Sequence, residues 1–226
     1  MKAYVLTLLR IFNKDLLLEL RSKDIINSML FYALLIIAIF SFIVSTGLKG
    51  YNELSVGIIW IAIIFSGVLG LNRAVLIENM NDSLVALVLA PVDISAIFFG
   101  KVLSITTFIL LMEIIIIPVF TVFYNINIFA NGVFPVYFLL FGTYGFALLG
   151  SIFSFMTVKT RARELLLPLL LLPLVIPVLL AGIKGIAVYM DSGMSTDYTK
   201  WFKLLVSFDI IFTLVIYMLI DKIFEE

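Results

Sequence analysis

The sequence predicts an all-α polytopic membrane protein, and three observations carry that prediction. The 226 residues are 63% hydrophobic and only 13% charged, with a mean hydropathy of +1.22. A soluble domain sits nearer half apolar and a quarter charged, so the solvent for this chain must be lipid. Apolar runs long enough to cross a bilayer, about 20 residues over about 30 Å, recur six times. The polar stretches between them are short, and one carries a helical pattern of its own.

The chain opens with a helix predicted over residues 1–25. Val5, Leu8, Leu9, Phe12, Leu16 and Leu20 recur at three- and four-residue intervals, opposite Arg10, Asn13, Lys14 and Arg21. That pattern describes an amphipathic helix lying along the headgroups, apolar side down. Charges interleave through Met1–Asp24 with no small-residue cleavage site behind them, unlike a cleavable signal. The spans follow over Ile26–Thr46, Ser55–Leu71, Ile97–Phe123, Phe134–Met156, Leu165–Tyr189 and Leu204–Ile220, the second being among the shortest. All belong to one transmembrane domain, residues 1–226.

Lysine and arginine placement sets orientation. With both termini cytoplasmic, the inside holds Lys2, Arg10, Lys14, Arg21, Lys23, Arg73, Lys101, Lys159, Arg161, Arg163 and Lys222. The outside keeps Lys49, Lys184, Lys200 and Lys203, a bias of eleven to four. Both termini are therefore expected in the cytoplasm.

The longest polar interruption is LNRAVLIENMNDSLVALVLAPVD, Leu71 to Asp93. Leu76, Met80, Leu84, Leu87 and Val88 fall near one helical stripe, with Glu78, Asn79, Asn81, Asp82 and Ser83 as the polar set. Ala90-Pro91 ends the pattern, since proline disfavours helix in the residue before it, and Asp93 is a candidate N-cap for the next span. The stripe is too short to cross a bilayer. It could lie on the membrane surface or seat in the groove of another protein; its slightly acidic charge disfavours anionic lipid and tips residues 72–96 toward a cytoplasmic coupling segment docked in a groove. The fifth span holds Pro168, Pro173 and Pro177, each removing a backbone donor and predicting a bend. Residues 188–203 read as a short outer-face element, with Trp201 and Phe202 at headgroup depth.

Composition also excludes chemistry. The chain has no cysteine and no histidine, which removes thiolate sites, the commonest haem ligand and the usual general base. Zero net charge implies no nucleic acid partner. No G-x-x-x-x-G-K-[ST] phosphate loop occurs; Gly100-Lys101 lacks the upstream glycine. Any ATP chemistry must lie on another chain. Glu113 sits near mid-membrane, where a carboxylate costs on the order of 3 kcal/mol. It therefore predicts an intramembrane polar contact, with a partner protein or within the bundle. Asp209 reads as interfacial, near the outer end of the sixth span.

The runs GIIWIAIIFSGVLGLNRA (Gly57–Ala74), DSLVALVLAPVDISAIFFGKV (Asp82–Val102) and LLLPLLLLPLVIPVLL (Leu165–Leu180) resemble the CcmB family of haem exporter proteins. The resemblance implies an ABC-2 exporter-like permease of cytochrome c maturation. A separate ATPase, CcmA, hydrolyses ATP, and CcmC, CcmD and the haem chaperone CcmE are further partners. It implies a complex in the bacterial inner (cytoplasmic) membrane that handles haem and releases the loaded chaperone; the missing histidine makes this chain a poor haem ligand, so no cofactor is expected on it. Asp82 stands where family members commonly carry glycine. Leu76, Glu78, Met80, Asp82, Leu84, Leu87 and Pro91 are the candidate ATPase-docking residues. A passive scaffold for haem-delivery partners and a permease exporting another substrate are the alternatives, and pairing of two copies stays open. A secondary transporter would want repeats and several buried ionisable residues, where the sequence shows one. An intramembrane enzyme lacks the residues to work with.

Overall fold

A computed structural model describes residues 2–44, 50–80, 92–157, 160 and 163–225. Among them every regular element is a helix: α1 (Lys2–Ser22), α2 (Asp24–Ile43), α3 (Tyr51–Met80), α4 (Ile94–Tyr124), α5 (Pro135–Thr157), α6 (Arg163–Ser192) and α7 (Thr196–Glu225). The last six are long and apolar enough to span a membrane. The protein is an all-α, multi-pass membrane protein.

Helix boundaries follow local chemistry. Lys23 takes a left-handed conformation (φ 57°) and breaks α1 from α2. Asn125, also left-handed (φ 50°), ends α4. Pro135 opens α5, at the position where its missing N–H costs nothing. Asp93 does occupy the N-cap position of α4, but it caps through its backbone carbonyl, which accepts from Ala96 and Ile97, with no side-chain capping bond.

Two boundaries differ from expectation. The second span is not short: α3 runs on for 30 residues to Met80, through the first part of the polar segment. No glycine or proline stands between Gly70 and Pro91, so the drop in hydropathy after Leu71 is no drop in helicity. Residues 188–203 are likewise no separate element. They are the end of α6 and the start of α7, joined at Gly193 (φ 66°), whose N–H donates to Tyr189 O at 2.8 Å. Ser195 Oγ accepts from Tyr198 N–H and caps the new helix. Phe202 packs edge-on to Phe138 and Phe141, so its ring is part of the bundle. Pro168, Pro173 and Pro177 all lie within the unbroken α6, and α4 carries a further proline, Pro118.

The bundle is layered around α3 and α5. Their spanning windows are 72% and 67% buried, against 22%, 33% and 28% for α2, α6 and α7, whose outer faces are left for lipid. At the centre Trp60 of α3 is fully buried against Gly142 of α5 and Gly182 of α6. Neither position has room for a Cβ, because each would fall on the indole. Phe138 against Gly185 and Phe146 against Gly67 repeat the device. Such close approach over small residues is how spans pack where lipid removes the hydrophobic incentive.

Candidate functional site

The two ends of the bundle are built differently. At the end holding the α2–α3, α4–α5 and α6–α7 connections, polar contacts bind neighbouring elements. Tyr51 Oη donates to Tyr124 O at 2.8 Å, and Tyr124 Oη to Ile37 O at 3.1 Å. Tyr189 Oη donates to Asn131 O, while Asn131 Nδ2 donates to Met190 O at 2.9 Å. Lys184–Glu53 (2.6 Å) and Asn52–Asp191 (2.7 Å) join α3 to α6.

The opposite end, where α1 lies, is hollow. A cavity of about 410 Å³ opens among α1, α2, α3, α4 and α5. Its apolar lining includes Leu71, Ile105, Phe108 and Phe155, and its polar lining Asp15, Glu19, Lys101, Ser151 and Ser154. Lys101, 8% exposed, reaches Asp15 of α1 at 3.1 Å, and Lys14 meets the other Asp15 oxygen at 3.0 Å. α1 crosses α4 at Gly100, where a Cβ would stand 3.0 Å from both Ile11 Cβ and Leu8 O. Glu19 accepts the Ile26 N–H at 2.8 Å. Burial raises the Glu19 carboxyl above its usual range, opposed by the Ile26 and Ile25 backbone N–H groups and reinforced by Asp24. Ser151 and Ser154, one turn apart on α5, are buried with hydroxyls that meet no partner among the described residues.

The face that α1 turns to the bundle is a mixed one. Ile11 and Glu19 are buried with Asp15 between them on one face, while Val5, Leu9 and Leu20 of the expected stripe are exposed. Asp15 and Glu19 find partners only against the protein, whereas leucines lose nothing by facing lipid.

The predicted docking residues divide. Leu76 projects from α3, 41% exposed, while Leu71 and Val75 on the same helix are buried. Glu78 and Met80 belong to the last turn of α3. Asp82, Leu84, Leu87 and Pro91 lie outside the described residues. The expectation of one polar segment, 72–96, is corrected to the extent that residues 72–80 continue the span and residues 94–96 begin the next. Leu76 shares a second hollow of about 600 Å³ with Pro168, Tyr32 and Arg73, between α2, α3 and α6. A docking candidate and a proline of the fifth span, far apart in sequence, thus border one space.

Glu113 is 2% exposed and accepts a hydrogen bond from the Thr143 hydroxyl of α5. Its polar contact is within the bundle. Asp209 is not interfacial. It is 4% exposed, lies midway along α7 against Gly145, and neither carboxylate oxygen has a partner among the described residues. Among the described residues the spans therefore bury three side chains of lysine, aspartate or glutamate, Lys101, Glu113 and Asp209, where one was expected. The missed pair Asp15–Lys101 spans 86 residues of sequence, and no local pattern announces it. Ser151 and Ser154 did leave a signal, two hydroxyls at helical spacing in an otherwise apolar run.

Residues 6–220 match the family model described as CcmB protein. Heme exporter protein B of Pseudomonas aeruginosa is 29% identical over 185 residues, 82% of each chain. The protein of the same name from Rhodobacter capsulatus is 28% identical over 210 residues, 87% of this chain and 93% of the relative. That of Haemophilus influenzae is 28% identical over 192 residues, 84% of each.

Proposed function

The chain belongs to the CcmB protein family, and from that premise we propose that it is the permease subunit of an ABC-type complex in cytochrome c biogenesis. It couples ATP hydrolysis on a separate ATPase subunit to haem handling and to release of the haem-loaded chaperone. The observation that carries this reading is the family match across residues 6–220 of a chain with six spans and no nucleotide-binding loop. Energy must enter from a neighbour, and the segment between α3 and α4 is the place for it.

In this reading the end holding both termini faces the cytoplasm of the inner membrane, and CcmA-like ATPase seats on Leu76–Pro91. α3, continuous through Met80, carries displacement of that segment directly into the buried centre at Trp60. The opposite end is clasped by its tyrosine and ion-pair contacts, so motion concentrates at the hollow end. CcmC-, CcmD- and CcmE-like proteins are the other partners. The chain ligates no haem iron itself: without histidine or cysteine, tyrosine and methionine are the remaining donors, and Tyr124 and Met112 are engaged in packing.

The test is Leu84→Asp combined with Leu87→Asp. The variant inserts normally, loses co-purification of the ATPase subunit and leaves the loaded chaperone unreleased. Normal co-purification and release by that variant contradict the reading. Normal release with a hydrolysis-dead ATPase favours the passive scaffold instead.

A further inference from the structure

The second hollow opens on the flank of the bundle rather than beneath α1. α2 and α6 both pack on α3 but scarcely touch each other among the described residues. α3 is therefore the floor of a groove between them, about 600 Å³ in volume. The lining runs along α3 from Phe65 to Leu76, a length of about 16 Å at about 1.5 Å per residue. Phe65, Val68 and Leu172 make the deeper part apolar, and Leu165 and Pro168 at the start of α6 wall the other end. Phe65 and Leu165 are exposed, so the groove opens sideways toward lipid.

Charge in this groove has one sign. Arg73 is the charged residue of its lining, which holds no carboxylate among the described residues. It is exposed and forms no ion pair among them. Asp24, one turn from Ser28 on α2, borders the cavity beneath α1 instead. The Ser28 hydroxyl donates to Asp24 O at 2.7 Å, whereas that of Tyr32 meets no partner among the described residues. α6 begins at Arg163, so its first turn, which carries Leu165 to this mouth, adds the positive end of a helix dipole. A guanidinium grips phosphate oxygens in its planar fork, and basic pockets between spans take anionic headgroups. A zwitterionic head fails here because its ammonium finds no carboxylate in the lining. A water-soluble phosphate leaves the apolar length of the groove unfilled.

We propose that this groove holds a phospholipid with a monoanionic phosphodiester headgroup. Its phosphate sits at Arg73 and the start of α6, and a phosphate or ester oxygen accepts from the Tyr32 hydroxyl. One acyl chain lies along Leu69, Val68 and Phe65 toward Leu172. The lipid fills the gap that α2 and α6 leave over α3. This holds whether or not an ATPase docks beside Leu76.

The experiment is native mass spectrometry of the full chain, delipidated in detergent and then offered equimolar phosphatidylglycerol and phosphatidylethanolamine of matched tails. Glycerol 3-phosphate is the water-soluble third probe. The wild type retains phosphatidylglycerol at least tenfold in excess of phosphatidylethanolamine. Arg73→Gln, which leaves the groove open, brings the two lipids to parity. Arg10→Gln, which removes an exposed cation of α1 outside the groove, leaves the preference unchanged. Leu69→Trp, which fills the groove, lowers retention of phosphatidylglycerol at least tenfold, and Arg73→Gln decides the matter if that variant does not fold. Equal retention of both lipids by the wild type, a preference undiminished in Arg73→Gln, or a loss as large in Arg10→Gln would each overturn the proposal. So would full retention by a folded Leu69→Trp, glycerol 3-phosphate bound as strongly as the lipid, or a wild-type dimer that stays lipid-free with phosphatidylglycerol present.

Discussion

Trp60 shows how narrowly the centre of this protein is specified. Its indole fills the notches left by Gly142 and Gly182, so Gly142→Ala forces the ring or the helix aside. Overpacking of this kind costs about 1–3 kcal/mol. Thermal unfolding in detergent is predicted to show the loss, with partial recovery when Trp60→Phe shrinks the ring. Glu113 and Thr143 form a second local test. Thr143→Val leaves a buried carboxyl without its donor and costs about 1–3 kcal/mol, while Glu113→Gln keeps an oxygen acceptor and costs less by the same measurement. Glu19 adds a pH test. Its carboxyl, raised by burial, holds its proton more tightly folded than unfolded. That group therefore favours the folded state most below the ordinary carboxylate range, and the contribution fades as pH rises through the folded value. The difference in unfolding temperature between pH 4 and pH 7 should shrink in Glu19→Gln; an unchanged difference assigns the effect elsewhere.

At the scale of elements, α1 is the informative case. It is held to α4 by the Asp15–Lys101 pair and the close crossing at Gly100. Removing one member of a buried pair is worse than removing both. Asp15→Asn should loosen α1 more than Asp15→Asn combined with Lys101→Met, read as the maleimide labelling rate of Ile11→Cys, a position now buried. The sequence pattern marked α1 as a helix with one apolar side, but it did not show that Ile11, Asp15 and Glu19 turn to the bundle, because hydrophobic periodicity does not say which residues meet protein. The same limit applies to Asp209, whose position in α7 was plain but whose burial depends on Gly145 of another helix. The six spans themselves were legible because length and apolarity suffice to mark them. The end of α3 was not, since hydropathy falls at Leu71 while backbone hydrogen bonding continues to Met80. The Asp15–Lys101 pair and the cavity it borders arise from contacts distant in sequence, and no spacing rule reaches them.

Over the whole molecule, one end is tied by tyrosine and ion-pair contacts among the spans, and the other holds a cavity roofed by α1. That asymmetry suits a subunit driven from one side. The absence of cysteine in the natural chain makes single-cysteine labelling clean. The most direct measurement is labelling of Leu76→Cys by a membrane-impermeant maleimide, in right-side-out and inside-out vesicles, with and without the ATPase subunit. Coupling from the cytoplasm predicts labelling from that side and protection when the ATPase is present. Labelling from the opposite side, or a rate indifferent to the ATPase, would contradict it.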